Sequence, residues 1–115
     1  MPNNFELDEI AEIYGMDLNG IVMKDELKNL KPRNGNYIIN LQSTTAGKNG
    51  SHWVSFCIED KDIFYFDSFG CVCPTEITRF CKRIPNSKLA YNYLQIQYID
   101  IETCGFFCLI FLLHL

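Results

Sequence analysis

The chain has 115 residues, which leaves room for one domain of ordinary size. It is 48% hydrophobic and 21% charged, the composition of a globular protein and not of a disordered one. A net charge of −4 argues against a general nucleic-acid binder, which would present a basic face.

Met1-Pro2-Asn3-Asn4 lacks the basic stretch and apolar run of a secretory signal. The six cysteines are therefore expected as reduced thiols in a reducing compartment. Leu7, Ile10, Ala11 and Tyr14 recur at helical spacing, which predicts a helix over 5–14 with Asn4 as N-cap and Gly15 as the stop. Residues 24–30 read as a short helix ended by Lys31-Pro32. Residues 36–41 read as a buried strand, and 42–50 as a polar loop leading into His52.

The runs 52–58 and 63–67 are strand-like and flank Glu59-Asp60-Lys61-Asp62, a hairpin signature. An even loop pairs residues whose numbers sum to 121 and sets Asp67 diagonal to His52 on one face. An odd loop would send the two side chains to opposite faces. Cys71-Val72-Cys73-Pro74 breaks the strand, and 75–83 reads as a helix with Ile77, Phe80 and Cys81 on one face. Residues 94–98 form a short predicted strand. Residues 104–113 are apolar all round, which predicts a helix buried on every side. Their apolar run is well short of the roughly 18 residues a membrane span needs. A central helix packed on a small, mostly antiparallel sheet with outer helices is an α+β architecture, here a single domain over 1–115. Basic residues gather at Lys24, Lys28, Lys31 and Arg33, and again at Arg79, Lys82 and Arg83; both groups read as solvated surface.

Four residues on these elements make a hydrolytic set: His52, Asp67, Gln97 and Cys104. A thiol attacks only as thiolate, and a helix N-terminus, where Cys104 is expected, favours that anion. His52 would act as base, and Asp67 would hold its imidazole in the useful tautomer. Gln97 and the backbone N–H of Cys104 would donate to the developing oxyanion. Gly105 leaves the approach to the thiol free of a side chain. Trp53 alternates with His52, so its ring is expected in packing on the opposite face. Taken singly, each of these residue types is more often structural; their joint occurrence points to chemistry.

The succession His52-Trp53, Tyr65-Phe66-Asp67-Ser68-Phe69-Gly70, Gln97 and Cys104-Gly105-Phe106-Phe107-Cys108 resembles the adenain and ubiquitin-like-protein protease superfamily. Within it, the similarity is greatest to maturation proteases of virophages, polinton-type elements and large DNA viruses. The stretches 20–27 and 35–41 are similar to what precedes the catalytic His in those enzymes, so the resemblance covers roughly 18–113.

The resemblance implies a papain-like or adenain-like fold and a cysteine endopeptidase that trims capsid precursor proteins during virion maturation, near glycine or other small residues. It implies His52 as general base, Asp67 as its orienting carboxylate, Gln97 as oxyanion donor and Cys104 as nucleophile. Gln95 is a rival donor, but the seven-residue spacing from Gln97 to Cys104 is the adenain-like one. Ser51, Trp53 and Phe69 are expected to help shape a narrow cleft. The implied partners are a viral protein substrate and a peptide activator, with no membrane, and the implied location is the virion or the virus factory of the host cytoplasm.

One alternative is an isopeptidase acting on ubiquitin or SUMO conjugates, which would use the same site. Another is a non-enzymatic zinc-binding or scaffold module drawing on Cys71, Cys73, Cys81, Cys104, Cys108 and His52. Their spacing fits no common zinc pattern, so no metal and no cofactor is expected.

Overall fold

The computed structural model of the chain describes residues 4–41, 52–68, 70–71, 73–91, 108 and 111–112. Helix α1 (Asn4–Ile13) leads into strand β1 (Leu18–Met23), a 3-10 turn (Lys24–Asn29) and β2 (Gly35–Asn40). The hairpin β3 (Trp53–Glu59) and β4 (Asp62–Phe66) follows, then helix α2 (Thr75–Lys82) and β5 (Lys88–Tyr91). All five strands lie in one sheet in the order β1-β2-β3-β4-β5. Its centre, β2-β3-β4, is antiparallel, and β1 and β5 join the two edges in parallel. This is the α+β architecture expected from the sequence. Cys108, Phe111 and Leu112 are helical; the rest of the predicted helix at 104–113 and the predicted strand at 94–98 lie outside the described residues.

Helix α1 starts at Asn4 itself and stops where Gly15 takes a left-handed φ of 69°. Gly15 N–H donates to Glu12 O at 3.0 Å and Met16 N–H to Ala11 O at 2.9 Å, so the last turn's carbonyls are satisfied. Leu7 and Ala11 are buried and Ile10 packs beside them. Tyr14 is 66% exposed, because the chain has already left the helix there. The 3-10 turn is capped from inside: Met23 N–H donates to the Glu26 carboxylate at 2.9 Å.

Strands β1 and β5 are additions to the sequence reading. Asn19 and Gly20 sit inside β1, and both are poor strand formers. In β5 three of the four residues are exposed, so no alternating pattern marks it. Both are edge strands in parallel pairing, and Val22, Leu18, Ile21 and Leu89 tie them to the two cores.

Every residue of β3 except Glu59 is buried, because both faces of the sheet are covered. Val54, Phe56 and Ile58 face one core with Tyr37, Ile63, Tyr65 and the α2 residues Ile77, Phe80 and Cys81. Trp53 and Cys57 face the other, with Ile38, the α1 residues Leu7 and Ala11, and Cys108 and Leu112. Each such fully buried side chain contributes about 1.5–3 kcal/mol. Phe56 is central to the first core, stacked on Tyr37 at 4.7 Å between centroids and tilted against Phe80 at 5.8 Å. Tyr37 keeps its hydroxyl satisfied by donating to Arg33 O at 3.0 Å and accepting from Arg33 N–H at 3.1 Å.

The hairpin has the even register the sequence required. Ser55 pairs Phe66, Phe56 pairs Tyr65 and Glu59 pairs Asp62 across the two-residue connection Asp60-Lys61. Asp60 takes a left-handed φ of 58°. Asn34 steadies it by accepting from Asp60 N–H at 2.8 Å and donating to the Asp60 carboxylate at 3.1 Å. Among the described residues, no helix is long and apolar enough to cross a membrane.

Removing the Phe56 ring takes the centre out of the aromatic cluster. Phe56→Ala is expected to lower stability by about 3–5 kcal/mol in denaturant unfolding. A loss under about 1 kcal/mol would mean the first core is not organised around this ring.

Candidate active site

His52 immediately precedes β3, and Asp67 immediately follows β4. Each is fixed by backbone bonds. His52 O accepts from Leu41 N–H at 2.9 Å, extending the β2–β3 ladder by one step. Asp67 O accepts from Gly70 N–H at 2.8 Å, and Gly70 closes this turn with a φ of 70° that disfavours side chains. The even register sends position 52 to the side of Val54 and position 67 to the side of Tyr65, which is one face.

The side chains meet there: His52 Nε2 and Asp67 Oδ1 are in hydrogen-bond contact. Asp67 is almost fully buried, at 1% side-chain exposure, and His52 is at 11%. A carboxylate this deep must be hydrogen-bonded. With Nε2–H donating to Asp67, the imidazole is held in one orientation and proton exchange is left to Nδ1. The Tyr65 phenol next to this pair is pushed up from its ordinary range, first by burial and then by the Asp67 carboxylate, so it stays protonated.

Trp53 is buried at 5% exposure in the α1-side core, on the face opposite His52, as strand alternation predicts. Cys108 is fully buried in that same core, and Phe111 stacks on Phe66 at 4.8 Å and 11°. Cys108, Phe111 and Leu112 therefore pack on the α1-side face of the sheet, with Phe111 against Phe66 near the end of β4. Cys104, Gln97, Gln95, Ser51, Phe69 and Gly105 lie outside the described residues. Two buried polar residues that the sequence reading did not single out lie at this end of the sheet: Asn40, 4% exposed and in register with Trp53, and Ser68, fully buried after Asp67. The signal for Asn40 was its place in an otherwise apolar run, Tyr37 to Leu41.

The other described cysteines are all free thiols: Cys57, Cys81 and Cys108 are buried, Cys73 is half-buried and Cys71 is exposed. Burial pushes Cys81 up to about 12 and Cys73 up to about 11, the latter against a lowering hydrogen bond with Thr78. Burial, and then the Glu59 charge, raise Cys57 as well. These are the settings of inert structural thiols. Among the described residues, no three or more His, Cys, Asp or Glu side chains gather as a metal site.

No protein-family model matches the chain, and no curated protein matches it. Solved structures do. The fold is similar to the crystal structure of the ASFV pS273R protease, with a TM-score of 0.63 at 19% identity over 96% of this chain and 55% of that one. The selenomethionine form of the same protease gives 0.65 at 16% identity, over 97% of this chain and 57% of that one. A structure of AvrA delL154 with IP6 and CoA gives 0.56 at 18% identity, over 91% and 44%. The chain thus has the adenain-like protease fold implied by its sequence resemblance, and spans just over half the length of the two protease structures.

The raised thiols predict a labelling pattern. Iodoacetamide at about pH 7.5, mapped by mass spectrometry, is expected to label exposed Cys71 and to spare Cys73 and Cys81 until the protein is unfolded. Labelling of native Cys81 at the rate of Cys71 would contradict the burial assigned to it. Because the folded Cys81 thiol lies above its ordinary 9.0 and reaches about 12, the unfolded chain loses this proton first as pH rises. Its contribution to stability is fully present below about pH 9 and falls away between there and about 12.

Proposed function

We propose that this chain is a cysteine endopeptidase in which Asp67 and His52 serve the thiol of Cys104. The observation that carries the reading is the buried His52–Asp67 contact, produced by the hairpin register at one end of the sheet. An imidazole fixed through Nε2 by an almost fully buried carboxylate suits a general base acting through Nδ1. The packing of Cys108 and Phe111 against the same sheet supports bringing the segment that carries Cys104 to this end. The likeness to the ASFV protease adds the precedent of a protease on this fold.

In the proposed reaction, Nδ1 of His52 takes the Cys104 proton and the thiolate attacks the scissile carbonyl carbon. The oxyanion that forms accepts from the Gln97 side chain and the Cys104 N–H. The imidazolium then gives its proton to the leaving amine, and a thioester remains. Water, deprotonated by the same imidazole, hydrolyses the thioester and restores the thiol. The substrate class we propose is a viral capsid precursor, cut near glycine or another small residue during maturation, in the virion or in the cytoplasmic virus factory.

Co-expression with the major capsid precursor, followed by mass spectrometry of the products, tests this reading. A cut is expected with the wild type and none with Cys104→Ala or His52→Ala. Asp67→Asn is expected to be milder, since it keeps a hydrogen-bonding partner for the imidazole. Gln97→Ala should lower the rate about 10²–10³-fold while Gln95→Ala leaves it unchanged; the reverse pattern would overturn the oxyanion assignment. Cleavage of ubiquitin or SUMO reporters in place of the capsid precursor would move the substrate to host conjugates.

A further inference from the structure

Part of each basic group of the sequence, Lys24 and Lys28 from 24–33 and Arg79 and Arg83 from 79–83, comes together in the fold while staying largely solvated. The fold brings them to opposite walls of one groove between the 3-10 turn and α2, with a volume of about 370 Å³. Lys24 and Lys28 line one wall, Arg79 and Arg83 the other, and Leu27 and Phe80 form the floor. Two carboxylates, Asp25 and Glu76, also line it, so cations outnumber anions in a chain whose net charge is −4.

The cations have different duties. Arg83 ties the walls together: its guanidinium donates to Leu27 O at 3.3 Å and lies over the Phe80 ring at 5.4 Å. Lys24 pairs across the groove with Glu76 at 3.7 Å. Lys28 and Arg79 are exposed, and neither side chain has an ion-pair partner among the described residues. They are two cations placed on facing walls above an apolar floor. The Lys24–Glu76 pair sits where β1 ends at Met23 and α2 begins at Thr75. That is the end of the sheet that carries His52 and Asp67.

We propose that this groove docks an acidic peptide segment of a protein partner, its carboxylates paired with Lys28 and Arg79 and an apolar side chain laid over Leu27 and Phe80. Charge complementarity fixes the sign of the partner. The mixed rim decides its class. A nucleic-acid backbone presents an uninterrupted row of phosphates and calls for a long basic face, whereas this short groove has carboxylates on its rim and lies in a chain of net charge −4, which suits a short acidic peptide. The volume lies at the small end of ligand pockets, about 300–1,000 Å³, and suits a few side chains of an extended segment. Because the cations are exposed, the interaction weakens as salt rises. Docking here is binding, not turnover, and does not depend on the catalytic reading.

Fluorescence anisotropy of a labelled peptide, Glu-Glu-Leu-Phe-Glu-Glu, titrated with the purified chain at low salt tests the proposal. Saturable binding is expected, about tenfold weaker in Lys28→Glu/Arg79→Glu and unchanged in Lys61→Glu/Lys88→Glu, which makes the same charge change at the hairpin end. The milder pair Lys28→Gln/Arg79→Gln should show an intermediate loss, and a thermal melt of each variant confirms that it is folded. No saturable binding, or equal loss in the two reversed pairs, would overturn the proposal. Displacement of the peptide by a single-stranded oligonucleotide of equal charge, at equal or lower concentration, would also overturn it in favour of a general polyanion site.

Discussion

The contact between the His52 imidazole and the Asp67 carboxylate is possible only because the β3–β4 hairpin has an even register. Side chains alternate along a strand, so a slip of one residue would send one partner to the opposite core. Both strands are locked against that slip by what lies between the pair and the turn. Phe56 and Tyr65 face one core, while Ser55 and Phe66 are paired toward the other side. Sliding either strand would turn Phe56, Ile58 and Tyr65 out of the aromatic core and into the space taken by Trp53 and Cys57. Apolar packing thus fixes a polar geometry two strands wide.

The remaining elements follow from covering this sheet. Helix α2 and the 3-10 turn close the Phe56 face; α1 together with Cys108, Phe111 and Leu112 closes the Trp53 face. At 1% exposure the Asp67 carboxylate has to be met by hydrogen-bond donors of the protein, and the imidazole of His52 is one of them. The same enclosure that makes Cys81 and Cys73 poor nucleophiles raises the strength of the hydrogen bond between His52 and Asp67. A reactive thiol in this protein has to be set apart from the buried ones by a base and a helix terminus, which are the roles the proposed site gives to His52 and to the start of the segment carrying Cys104.

The legible parts of the sequence were those in which one pattern dominated. Leu7, Ile10 and Ala11 with Gly15 marked α1, and Ile77, Phe80 and Cys81 marked the buried face of α2. The four residues between the strand runs marked the hairpin; its parity was open in the sequence and was required only by the proposed meeting of His52 with Asp67. Strand β1 was hidden by Asn19 and Gly20, whose pairing with β2 is a tertiary effect that local propensity opposes. Strand β5 was hidden because edge strands with exposed side chains carry no burial period. The groove between Lys28 and Arg79 was hidden for a different reason: its walls are some 50 residues apart in the chain, and only the packing of α2 beside the 3-10 turn joins them.

The central claim is that His52, held by Asp67, acts on the thiol of Cys104. The pH dependence of Cys104 alkylation, measured on intact protein in the wild type and in His52→Ala, tests it most directly. The account predicts a thiolate that persists well below pH 7 in the wild type and a profile returned to about 8.5–9, the range of an ordinary thiol, in the variant. Superimposable profiles in the two proteins would contradict it.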